Sequence, residues 1–86
     1  MAVYLISYDL RKPDFDYDDL YAELANIHAK HVQDSVWGVR TNQTATEVFD
    51  RLWTKMHNAK DRLFVVTFDK SQPYKSENAI TLLKDL

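Results

Sequence analysis

Three short runs rich in β-branched and aromatic residues, separated by two stretches of helical periodicity, decide what this chain can fold into. The first run, Ala2 to Asp9, is apolar on both faces, which predicts a central, doubly covered strand. Arg11-Lys12-Pro13 ends it. Tyr17, Leu20, Tyr21, Leu24, Ile27 and His28 then recur at three- and four-residue spacing. They predict a helix beginning at Tyr17, capped by Asp16, with acid in its first turn where the helix dipole favours it. The second run, His31 to Thr41, is long for one strand. Asp34-Ser35 inside it reads as a tight turn or a bulge, so a bent strand and a short hairpin both stay open. Thr44-Ala-Thr-Glu47 is a capping box that opens a second helix, with Val48, Phe49, Leu52, Trp53 and Met56 on its buried face. Asn58 to Asp61 turns the chain into the third run, Arg62 to Asp69. Ser76 is expected to cap a short C-terminal helix carrying Ile80, Leu83 and Leu86.

With the middle run folded as a hairpin, this order is βαββαβ. That is the ferredoxin-like α+β arrangement, an antiparallel sheet with two helices on one face. A parallel βαβαβ sheet needs helices on both faces, for which 86 residues are tight. We therefore expect one ferredoxin-like domain over residues 1–86 plus the C-terminal helix. The chain is 45% hydrophobic, too apolar for intrinsic disorder. Eleven aromatic residues in so small a domain predict that some apolar surface goes to a partner subunit.

Several function classes drop out. With no cysteine, disulfides, thiolate zinc sites and a cysteine nucleophile are excluded. One glycine excludes a glycine-rich phosphate loop. No apolar run approaches a membrane span, and the first residues lack the pattern of a signal peptide, so the expectation is a cytoplasmic protein. A net charge of −2 argues against a basic nucleic-acid coat, leaving room for a local basic patch.

Four constellations bear on chemistry. Tyr8-Asp9 closes the first strand, and a carboxylate there suits a hard cation such as magnesium or manganese. One carboxylate is a weak site, but a two-fold axis would bring two copies of Asp9 together. A metal so held activates water and stabilises charge at phosphate, with Arg11 and Lys12 as phosphate contacts. The structural alternative is that Asp9 pairs with Arg11 or caps the turn. Asp14, Asp16, Asp18 and Asp19 superficially match a calcium loop, but the sixth and twelfth positions are Asp19 and Ala25 rather than Gly and Glu. They read as helix-start acids. His28, His31 and His57 have no metal spacing; one of them suits a general base, but partly buried structural histidines are the better reading. Ser35 suits a hydrogen bond to phosphate, and Trp37 stacking on a base; Trp53, on an apolar helix face, reads as core.

Tyr8-Asp9 closing the first strand, Val32 to Trp37 (VQDSVW) and Asp61 to Val66 (DRLFVV) together resemble the CRISPR-associated protein two superfamily. The likeness is strongest to its SinR-like and VapD-like relatives and spans residues 3–86. It implies a ferredoxin-like homodimer. Some members of that superfamily are metal-dependent nucleases, ribonuclease toxins among them; others are non-catalytic structural subunits. By position, Asp9 matches the metal-binding aspartate and Tyr8 its neighbour. Ser35 matches the serine opening the second half of the hairpin, and Arg11 lies where basic residues follow the aspartate. Two functions are therefore expected in competition: a metal-dependent phosphodiesterase on RNA or DNA, and a dimeric scaffold that keeps Asp9 for architecture.

Overall fold

The computed structural model describes residues 1–86. The chain runs through β1 (Ala2–Asp9), α1 (Asp18–Asn26), β2 (Lys30–Gln33), β3 (Val36–Thr41), α2 (Ala45–Trp53) and β4 (Arg62–Thr67), and closes with a 3-10 turn at Leu83–Asp85. The sheet order is β2-β3-β1-β4, with β1 antiparallel to both of its neighbours. Each helix crosses over one intervening strand: α1 joins β1 to β2 past β3, and α2 joins β3 to β4 past β1. Two interleaved split βαβ units of this kind make the ferredoxin-like α+β fold.

Strand alternation sends Tyr4, Ile6 and Tyr8 toward the helices, where all three are buried. Ile6 pairs with Trp37 on one side and Val65 on the other, and Tyr4 pairs with Val39. Leu20 and Leu24 of α1 and Val48 and Leu52 of α2 are fully buried against them. Each side chain of this size withdraws enough apolar surface to contribute about 1.5–3 kcal/mol. Phe49 and Trp53 are half-buried and stack on each other at 5.6 Å.

The middle run is a hairpin turning at Asp34-Ser35, and it also contains a bulge, at Val32 between His31 and Gln33. The capping box of α2 is formed from both sides: Glu47 donates its backbone N–H to Thr44 Oγ1, and the Glu47 carboxylate accepts from the Thr44 N–H. Helix α1 starts one residue later than the periodicity suggests. Tyr17 takes the N-cap position without a side-chain bond, and Asp16 accepts from the Asp18 N–H at 2.9 Å. The last turn of α1 closes in a Schellman arrangement. His28 N–H bonds Ala25 O, Ala29 N–H bonds Leu24 O, and His28 itself sits at φ 61°.

Two expectations are corrected. The second face of β1 is not covered by a helix. Val3, Leu5 and Ser7 face away from α1 and α2, in register with Arg40, Gly38 and Val36 of β3, and only half-buried. From β4, Phe64 and Val66 join this open face, 57% and 47% exposed. The predicted C-terminal helix is reduced to the Leu83–Asp85 turn. Asn78 takes a left-handed φ of 58° and Leu82 is extended, which breaks the helical path. The tail instead lies across one end of the open face. Ile80 N–H bonds Val32 O on the β2 edge, and the Leu86 side chain seats on Gly38. Burial of Val32 and Leu86 follows from this cover. No helix is long and apolar enough to cross a membrane.

Candidate functional site

The carboxyl end of β1 meets the β2–β3 turn because the Tyr8 N–H donates to Ser35 O at 3.1 Å. Strand alternation then sends Tyr8 inward and Asp9 to the open face. A shallow cleft of about 430 Å³ forms there, bordered by Tyr8, Asp9, Arg11, Tyr21, Asp34 and Ser35. A smaller hollow of about 160 Å³, between Ser7, Arg62 and Phe64, lies on the other flank of Asp9. Asp9 therefore borders both.

Tyr8 is fixed by its surroundings. The Trp37 indole donates Nε1–H to the Tyr8 hydroxyl at 3.0 Å. Burial raises the Tyr8 pKa, against the opposing effect of the Trp37 bond, so the phenol stays protonated at neutral pH. Trp37 is itself covered on one face: His31 stacks on its ring at 4.4 Å and 13°, and His31 Nε2 lies 3.2 Å from Asp34 O. These contacts make Trp37 a support beneath the cleft and not a free stacking surface.

Asp9 is exposed, and its partner is Arg62 at 3.5 Å. Sequence adjacency suggests Arg11 for that role, but the cross-strand register sets Arg62 directly opposite Asp9. Arg11 instead uses its backbone N–H, donated to Asp61 Oδ1 at 2.7 Å, and forms no ion pair. Its guanidinium is left available at the rim. Lys12 turns away to pair with Asp14 at 3.0 Å and does not border the cleft.

The residue that fixes this end of the molecule is Asp61, which the sequence shows as the end of a turn and the start of the DRLFVV motif, with no sign of its partners. Asp61 is buried and accepts from Tyr17 Oη–H at 2.6 Å, Arg11 N–H and the His57 N–H at 2.8 Å. Burial alone would raise its pKa, but these donors together hold the carboxyl below its ordinary value. Tyr21 was also missed as a site residue. Its helical spacing puts it with the core positions, yet it is 44% exposed and borders the cleft. Its phenol hydroxyl was the only hint.

The metal expectation rests on Asp9. Asp34 borders the same cleft, and no group of three His, Cys, Asp or Glu side chains stands close enough to hold an ion. A hard divalent cation takes about six oxygen ligands. One copy of this chain does not by itself supply such a ligand set. His28, His31 and His57 all lie outside the cleft lining, so none is positioned there as a general base. No protein-family model matches the chain.

Proposed function

We propose that this protein is a homodimeric, nuclease-like phosphodiesterase of the CRISPR-associated protein two type, acting on RNA or DNA with magnesium or manganese. One observation carries the reading. Tyr8, Asp9, Arg11 and Ser35, singled out from separate parts of the sequence, border a single cleft. Asp9 also lies on the apolar open face, so two chains packed through that face would bring their Asp9 residues toward a shared axis. Asp9 would hold the metal. The metal supplies charge stabilisation at phosphate and a more acidic water. Arg11, with no carboxylate partner, neutralises a phosphate. The Ser35 hydroxyl donates to a phosphate oxygen, and Tyr8, kept protonated by burial, orients the strand end that carries Asp9.

The second reading is a dimeric scaffold without catalysis, and the Asp9–Arg62 pair favours it, because an arginine on that carboxylate competes with a metal. The two separate in a cleavage assay. Labelled single-stranded RNA and double-stranded DNA are incubated with purified protein in magnesium, manganese or chelator, beside Asp9→Ala. The enzyme reading expects metal-dependent cleavage that falls at least about 100-fold in the variant. Because Asp9 is exposed, the variant keeps its stability to within about 0.5 kcal/mol. A folded dimer that leaves both substrates intact with either metal establishes the scaffold reading instead.

A further inference from the structure

At the far end of the open face, about 20 Å along β1 from Asp9 by strand rise, cations gather without carboxylate partners. Arg40 of β3 and Lys70, in the loop after β4, converge on one oxygen, the main-chain oxygen of Leu86, at 2.7 and 2.6 Å. Beside them a cavity of about 450 Å³ is bordered by His28, Lys30, Gly38, Arg40, Asp85 and Leu86. Lys30, Arg40 and Lys70 take part in none of the four ion pairs of the molecule. The acceptors in this place all come from the tail: the Leu86 and Lys84 oxygens, and the Asp85 carboxylate bordering the cavity.

We propose that Lys30, Arg40 and Lys70 form a phosphoryl-anion site, and that the Leu83–Leu86 segment is its internal, displaceable occupant. Arg40 and Lys70, from two separate segments, already meet on a single oxygen, as a phosphate oxygen requires, and Lys30 borders the cavity beside Arg40. Apart from the Arg40 and Lys70 bonds that an anion would take over, the occupant is held by one side chain in one hollow, Leu86 on Gly38. Its backbone tie to the sheet is the single Ile80–Val32 bond. His28 also borders the cavity, from a left-handed backbone position at φ 61°. The site owes nothing to Asp9 and stands whether or not the cleft there is catalytic.

The test is a two-dimensional amide NMR titration of the whole protein. Gly38, the only glycine, gives an isolated reporter beneath Leu86. Inorganic phosphate, a nucleoside monophosphate and a short single-stranded oligonucleotide are titrated separately at fixed ionic strength, with chloride as control. The proposal expects saturable shifts at Gly38 and Leu86 that chloride does not reproduce. Lys70→Gln and Lys30→Gln, both outside the core, each weaken binding about fivefold or more, and Arg40→Gln does so if it folds. Gly38→Ala, which evicts Leu86, tightens binding several-fold. Equal affinity for the three probes assigns a free-phosphate site; an oligonucleotide at least tenfold tighter assigns a nucleic-acid backbone. Absence of saturation, or affinities unchanged in Lys70→Gln and Lys30→Gln, overturns the site. Unchanged affinity in Gly38→Ala overturns the role of the tail.

Discussion

Tyr17 and Asp61, 44 positions apart, share a 2.6 Å hydrogen bond that ties the loop after β1 to the turn before β4. Asp61 also accepts the Arg11 and His57 backbone N–H groups. The segment carrying Arg11 is thus clamped to the strand opposite Asp9 by one buried carboxylate.

Removing that carboxylate leaves two backbone donors and a phenol without an acceptor. Asp61→Ala is expected to destabilise by about 2–4 kcal/mol, and Tyr17→Phe by about 1–2 kcal/mol. For a domain of this size the first lowers Tm by roughly 10 °C or more in a thermal melt. The pair also sets two pH limits. The folded Asp61 pKa is lowered from an unfolded value of about 3.9, so its contribution is full above pH ~4 and is lost as pH falls through the folded value. Tyr17 is raised, by burial first and by its bond to Asp61 second. Its contribution is full below an unfolded pKa of about 10 and is lost as pH rises through the higher folded value. Urea unfolding across pH is expected to show an acid limb that flattens in Asp61→Ala and an alkaline limb that flattens in Tyr17→Phe.

His28 occupies the left-handed residue of the α1 Schellman turn. Glycine there removes the steric conflict between Cβ and the backbone. His28→Gly is expected to raise stability by about 0.5–1 kcal/mol, a few degrees in Tm, while His28→Ala gives no gain because the conflict stays. A thermal melt of the two variants side by side separates this backbone effect from loss of the imidazole, which both variants share.

A Cβ on Gly38 would stand 2.6 Å from both terminal carbons of Leu86. Something has to move, and the flexible Leu86 side chain yields before the central sheet does. Gly38→Ala is expected to cost about 1 kcal/mol and to leave the β1–β3 register unchanged. In amide hydrogen exchange, Ile80 loses at least tenfold in protection as its bond to Val32 opens, while the β3 amides keep theirs. A collapse of β3 protection would show that the strand, and not the tail, carries the strain.

Where local rules decide the outcome, the residues announced it. Thr44 and Glu47 formed the expected capping box, whereas β1, apolar on both faces in sequence, did not announce that only Tyr4, Ile6 and Tyr8 would be covered by helices. Of the six candidates drawn from separate motifs, Tyr8, Asp9, Arg11 and Ser35 border one cleft, while Lys12 turns to Asp14 and Trp37 is held by Tyr8 and His31 outside its lining. Long-range pairing was not legible. That Asp9 faces Arg62 depends on a strand register, and that Asp61 gathers three donors depends on two loops meeting. The tail misled because its spacing of Ile80, Leu83 and Leu86 mimics a helix face. Leu86 is instead drawn into the hollow over Gly38, and Ile80 stays exposed.

Phe64 and Val66 are 57% and 47% exposed, and they pair with Ser7 and Leu5 on the face that carries Asp9. Such an apolar face on so small a domain favours burial against a second copy. A lysine at position 64 keeps the strand in place at the sheet edge but would set two like charges against each other across a two-fold interface. Sedimentation equilibrium is expected to give a dimer for the natural protein and a monomer for Phe64→Lys, with dissociation shifted at least 100-fold. Circular dichroism of the variant stays that of the folded chain, since Phe64 lies outside the core between the sheet and the helices. If cleavage needs Asp9 from both chains, it disappears with the dimer even though Asp9 is untouched. A natural protein that sediments as a monomer at 100-micromolar order would remove the homodimer, and with it the means of completing a metal site around Asp9.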